Sequence, residues 1–212
     1  MRTTIDPDRL YTPEDLLLMP DGERFELVDG HLVEPNVSTL SSLVESSINF
    51  SIVSYNRSHQ LGWVFTASNM YRCFPHRPGL IRKPDVSFIR ADRAGPELLE
   101  SRIVTIAPDL AVEVISPNDE AEDVEIKVRD YLRAGVRLVW AVFPIARSAR
   151  VHRPDGTIAG LDEEDELDGE DVLPGFRCRL GDVFPPARPG AEAGGMIVAS
   201  GVSLRPRRRP GR

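Results

Sequence analysis

Cysteine and lysine are the scarce residues of this 212-residue chain, and each scarcity is informative. Cys73 and Cys178 are far apart and form no CxxC pair, so neither a disulfide framework nor a cysteine zinc site is expected. No run approaches the roughly 18 consecutive apolar residues of a membrane helix. The opening Met-Arg-Thr-Thr-Ile-Asp-Pro-Asp has no apolar stretch of the secretory kind. These absences together predict a cytoplasmic protein with no membrane partner. Lysine occurs only at Lys83 and Lys127, in a chain that otherwise places arginine wherever it needs a cation.

What is present is ordinary for a globular protein: 41% hydrophobic and 28% charged residues, enough for one domain with a sizeable core. The formal net charge of −7 is unevenly spread. Eight acids crowd Asp162 to Asp171, a run that reads as a solvated loop, while arginines collect after Arg188. The body between them is mildly acidic and lacks the basic coat of a protein that binds nucleic acid by charge alone. From Pro185 onward Pro, Gly, Ala and Arg dominate. The expected organisation is a single domain over residues 1–184 and a disordered tail over 185–212.

Thr12 caps a short expected helix, with Pro13 at its first position and Asp15 in its first turn. Arg24 to Val28 and His31 to Glu34 flank Asp29-Gly30, the signal for a two-residue hairpin turn. Ser38 to Tyr55 has helical spacing through Leu40, Leu43, Val44, Ile48 and Ile52. Strands are expected at Val64-Phe65, Met70 to Phe74, Asp85 to Ile89 and Leu110 to Ile115. Glu120 to Ala134 is the clearest helix, with Val124, Val128, Tyr131 and Leu132 as its stripe and Gly135 as its stop. Val136 to Phe143 is nearly all apolar, as a strand buried on both faces would be. Arg150 to His152, Thr157-Ile158 and Asp171 to Leu173 suggest a small antiparallel annex. The fold class is α/β, a mixed sheet with helices.

Chemistry concentrates between Lys83 and Tyr131. Lys83-Pro84-Asp85-Val86 sets an acid at the opening of a strand, and Leu110-Ala111-Val112-Glu113-Val114-Ile115 buries one inside another. Glu113 shares its strand face with Ala111 and Ile115, where an unpaired carboxylate would be costly. Lys127 lies on the inward stripe of the following helix. Two carboxylates and an inward lysine suit a hard divalent cation and phosphate chemistry. The same residues admit a plainer reading, with Pro84-Asp85 as turn chemistry and Lys127 as the i, i+4 surface partner of Asp123. His31, His59, His76 and His152 have no metal-ligand spacing, and no Walker or GxSxG motif occurs.

Several segments in order resemble the Uma family of restriction-endonuclease-like proteins. They are Tyr11 to Leu16, Phe25 to Val33, Lys83 to Val86, Pro108 to Pro117, Lys127 to Val136, and Gly169 to Phe184 with its Val172-Leu173-Pro174-Gly175-Phe176. The resemblance spans about residues 10 to 184 and implies a PD-(D/E)xK nuclease core. That core is a mixed central sheet flanked by helices, here with an N-terminal hairpin and the small annex. It further implies an endonuclease that hydrolyses phosphodiester bonds of DNA with Mg²⁺, for which Mn²⁺ substitutes. Asp85 and Glu113 would be the metal ligands, Lys127 the third catalytic residue and Glu26 an accessory acid. Ile115 stands where the usual lysine would be, two residues after Glu113, and Lys127 on the next helix matches the family's substitute. Ser38 to Val44 lacks the family's histidine, and the arginine-rich tail has no counterpart. A homodimer would let both strands be cut. The rival reading is a catalytically inert module on the same fold that binds nucleic acid or protein.

Overall fold

The period-2 alternation around Glu113 is one row of a six-stranded mixed sheet. The computed structural model describes residues 5–186. Strands β3 (Gly62–Thr66), β4 (Val86–Arg90), β5 (Leu110–Val114), β6 (Leu138–Phe143), β7 (Ser148–His152) and β8 (Ile158–Asp162) lie side by side in that order. Only β5 and β6 run parallel, because helix α3 (Ala121–Ala134) connects them; the other neighbours are antiparallel. Helix α3 stops where Gly135 takes φ 95°, as its composition predicts.

The N-terminal hairpin also forms as expected. Strands β1 (Glu26–Val28) and β2 (His31–Val33) are joined by Asp29 and Gly30 with φ of 50° and 84°. That pair of positive φ values is what makes Asp-Gly a tight-hairpin sequence. Ahead of it, Thr12 caps helix α1 (Pro13–Leu18) in a reciprocal box with Asp15. Helix α2 (Thr39–His59) runs one turn beyond the expected end and stops where Gln60 adopts a left-handed conformation.

The two faces of the sheet differ. Helix α2 lays Val44, Ile48 and Ile52 over Val86, Phe88, Leu110, Val112 and Trp140, and Leu173, Phe176 and Leu180 close the same apolar cluster. Helix α3 covers part of the other face through Val128 and Tyr131 against Ala111 and Val139. The hairpin docks beside it, since Leu27 and Ile81 exchange backbone hydrogen bonds of 3.0 and 2.9 Å.

Four expectations require correction. Arg150 to His152 and Ile158 are not part of an annex, because they lie in β7 and β8 at the edge of the central sheet. Met70 to Phe74 is not a strand. Tyr71 makes single bridges to Arg82 and Val104, between a turn closed by Asn69 N–H on the Thr66 carbonyl and the break at Pro75. Asp171 to Leu173 is a turn, because Val172 and Leu173 both donate backward to the Gly169 carbonyl. The acidic run is exposed to solvent as expected but is not a loop. It supplies the end of β8 and strand β9 (Glu166–Asp168), paired with β10 (Arg177–Arg179). Its carboxylates meet arginines: Glu163 with Arg147, Glu164 with Arg179, Glu166 and Asp168 with Arg177, and Glu170 with Arg153. The arginine-rich tail from 187 onward lies outside the described residues.

Candidate active site

Glu113 stands in the middle of β5 with its carboxylate on the α3 face, 4% exposed as a residue. Two groups from α3 meet it. Lys127 Nζ lies 3.1 Å from Oε2, and the Tyr131 hydroxyl donates to Oε1 at 2.6 Å. Lys127 and Tyr131 are four residues apart, so one helix face delivers both. Lys127 also lies 3.6 Å from Glu26 Oε1. Its partners are thus across the sheet and hairpin rather than Asp123 on its own helix.

Asp85 immediately precedes β4, whose antiparallel pairing sets it beside β5. The Val114 N–H donates to its Oδ2 at 2.6 Å, which fixes the carboxylate next to Glu113. Glu26 reaches the same place from the hairpin. Its Oε2 accepts from Arg82 at 2.9 Å and its Oε1 from the Lys83 N–H at 2.9 Å. Arg82 continues to Asp130 at 2.7 Å, and Arg77 joins Asp130 and Asp29 at 3.0 and 2.8 Å. The docking of Leu27 on Ile81 carries Glu26 inward on one side and Arg82 and Lys83 inward on the other. Asp85, Glu113, Lys127 and Glu26 therefore line one cleft of about 230 Å³.

Burial sets the electrostatics. It lifts Asp85 well above the usual carboxylate range, and the neighbouring Glu113 charge lifts it further. Burial also raises Glu113, against the pull of Lys127, while Glu26 adds to the rise. For Lys127 burial opposes the charge, but Glu113, Glu26 and Asp85 together outweigh it and hold the ammonium protonated. Tyr131 is raised by burial and then by Glu113, so its hydroxyl stays a donor.

The donor chemistry fits a hard divalent ion. Two mutually repelling carboxylates face one cleft, and its histidine- and cysteine-free lining offers oxygen donors to an ion beside the Lys127 ammonium. Among the described residues no group of three or more His, Cys, Asp or Glu is placed to hold a metal. A two-carboxylate site open to water is how Mg²⁺ is commonly held, since it keeps several waters. Asp85 and Glu113 are the residues that would hold it.

Three participants escaped the sequence reading. Arg82, 4% exposed, ties Glu26 to Asp130. Tyr131 read only as part of an apolar stripe. Glu45 of α2, raised by burial, adds its charge to the field at Asp85. The i, i+4 spacing of Lys127 and Tyr131 signals the second. Glu45 follows Ser41 by four on the buried side of α2, which signals the third. Of the histidines, His59 stacks on Tyr55 and His152 is buried, and neither lines the cleft. Cys73 is a buried thiol, pushed up to about 12 by burial.

Comparison with known proteins extends this picture. A comparison with curated proteins finds no match. Among solved structures, the chain is similar to "a putative nuclease belonging to DUF820 from Anabaena variabilis ATCC 29413", solved at 1.96 Å resolution. The TM-score is 0.70 at 22% identity, covering 82% of this chain and 97% of that one, a likeness of fold. Among the described residues no helix is long and apolar enough to cross a membrane. The family described as "Putative restriction endonuclease", Uma2, matches residues 13–181, which contain all four cleft residues. The chain belongs to the Uma2 family.

Proposed function

We propose that the protein is a divalent-metal-dependent endonuclease that hydrolyses phosphodiester bonds of DNA, using Mg²⁺ with Mn²⁺ as a substitute. The observation that carries this reading is the Lys127 ammonium held 3.1 Å from Glu113 in the cleft that Asp85 also lines. Asp85 and Glu113 would hold the ion, which when bound supplies positive charge for the phosphoryl oxygens and acidifies a water. In hydrolysis a water oxygen bonds to phosphorus, the P–O bond to the leaving sugar oxygen breaks, and that oxygen takes up a proton. Lys127, kept charged by three carboxylates, orients the attacking water and offsets charge developing on the phosphoryl group. Tyr131 fixes the Glu113 carboxylate by its hydrogen bond. Glu26 holds Lys127 in place from the hairpin side, as an accessory acid.

One observation favours the rival, catalytically inert module. The cleft lining carries Glu26, Asp29, Glu34, Asp85, Glu113, Asp119 and Asp123 against Arg77, Arg82 and Lys127, a field that repels a polyanion. A divalent ion offsets that field, so the two readings part on metal. Supercoiled plasmid incubated with Mg²⁺ or Mn²⁺ is expected to be nicked, with no nicking in EDTA or by Asp85→Asn. Nicking that persists in EDTA, or in both Asp85→Asn and Glu113→Gln, overturns the assignment. Calorimetric Mn²⁺ titration with no Glu113-dependent binding favours the inert module. The nicking species is expected to be a homodimer in the cytoplasm, which sedimentation of the purified protein tests for the dimer.

A further inference from the structure

Most arginines among the described residues sit in ion pairs, as those facing the acidic run do. The side chains of Arg57, Arg102, Arg129, Arg133 and Arg150 make no hydrogen bond or ion pair, and all five residues are exposed. Three of the five gather on one surface. Arg129 and Arg133 project from the outer side of α3 into a groove of about 370 Å³ that His152 and Arg153 also line. Arg150 is two residues before His152 on β7 and so shares its sheet face. The register then fixes where this surface lies relative to the cleft. Glu113 pairs with Ala141, Ala141 with Arg150, and Arg150 with Gly160, all in one transverse row. Arg150 is therefore two strand spacings, roughly 10 Å, from Glu113 on the same face. The space around it is open, since a Cβ added at Gly160 would meet nothing within 4 Å.

Ion pairing does not account for these arginines. Arg129 and Arg133 are i, i+4 like charges, an arrangement that weakens a helix. Glu125, four residues before Arg129 and on the same groove, makes no ion pair with it. The helix dipole favours Arg133 in the last turn of α3, and Arg150 lies 5.4 Å over the Phe143 ring, but neither contact sets an anion against the guanidinium.

We infer that this shelf, formed by the outer side of α3 and by β7–β8, seats the phosphate backbone of duplex DNA beside the cleft. The inference rests on the endonuclease reading for its choice of polyanion and adds the surface that binds it. At roughly 10 Å from Glu113, the shelf meets backbone phosphates close along the duplex to one held there. A groove built for backbone contact confers affinity without base preference. The arrangement also answers the repulsive lining of the cleft: affinity comes from the arginines outside it, and the acids inside are left to the metal.

The test is fluorescence anisotropy of a labelled duplex oligonucleotide in EDTA, with KCl varied from about 50 to 200 mM. The triple variant Arg129→Ala/Arg133→Ala/Arg150→Ala is expected to bind at least tenfold more weakly at the low end. Its slope of log affinity against log salt should fall by roughly one for each arginine removed. Arg57→Ala/Arg102→Ala, which removes unpaired arginines elsewhere, is expected to leave both values unchanged. Gly160→Lys, adding a cation to the open row, is expected to tighten binding. Circular dichroism of each variant should match the parent. A triple variant that binds within twofold of the parent with the same slope overturns the shelf, as does a parent with no salt-dependent affinity for the duplex. The two readings fail separately. Plasmid nicking that is intact in the triple variant sinks the shelf alone, whereas arginine-dependent binding without metal-dependent nicking sinks the endonuclease and leaves the shelf standing.

Discussion

The two faces of the central sheet are built from the same strands and do opposite work. On the α2 face, Val86, Phe88, Leu110, Val112, Leu138, Trp140 and Val142 are buried and apolar without interruption. On the α3 face the alternate positions bring Ser87, Glu113, Arg150 and His152 among Ala111, Val139 and Ala141. The α2 face is apolar throughout, while the α3 face sets its apolar cluster beside charged groups. The latter tolerates buried charge, which favours folding only when paired and hydrogen-bonded. The comparison teaches that a carboxylate can stand mid-sheet where the helix over it supplies an ammonium and a hydroxyl to pair it.

Substitutions on the two faces should therefore separate stability from activity. The largest expected loss of stability is on the α2 face: Trp140→Ala should cost about 3–5 kcal/mol, read as a lowered denaturant midpoint. On the α3 face Lys127→Arg retains charge but replaces a compact ammonium with a planar fork, and it should remain folded without restoring nicking. Asp85→Asn keeps an acceptor for the Val114 N–H and removes the buried charge. It should raise the metal-free Tm by roughly 2–4 °C, the shift that about 1 kcal/mol produces in a chain of this size. The sign with pH follows from the same group. Its folded pKa is raised, so the metal-free parent gains stability as pH falls through that value toward about 4 and loses it as pH rises; Asp85→Asn should flatten this slope. Tyr131→Phe removes one hydrogen bond to Glu113 and should cost about 1 kcal/mol. Smallest of all, Arg150→Ala should cost only about 0.5 kcal/mol, the worth of an exposed contact over the Phe143 ring. A Trp140 variant as stable as its parent, or an Asp85 variant less stable, would break the division between the faces.

The same asymmetry explains how much was legible from sequence. The α3 helix, the hairpin at Asp29-Gly30 and strands β4 to β6 carry local signals strong enough to stand alone. Glu113 was conspicuous because its neighbours in sequence are all apolar, and Lys127 because lysine is so rare. What escaped was non-local. Arg82 acquires its role only when Leu27 docks on Ile81 and brings Glu26 to it. Met70 to Phe74 has the residues of a strand, but its neighbours leave room for single bridges only. The strand and ion pairs of the exposed acidic run were not legible because its arginine partners, Arg147, Arg153, Arg177 and Arg179, are separated from it in sequence and meet it only through β7 to β10.

The initial rate of Mn²⁺-supported nicking of supercoiled plasmid by Lys127→Ala, relative to the parent, tests the central claim most directly. The account predicts a fall of at least 100-fold, about 2.7 kcal/mol of transition-state stabilisation, in a variant that still folds and still binds Mn²⁺. A rate within twofold of the parent would contradict it and return Lys127 to a structural partner of Glu113.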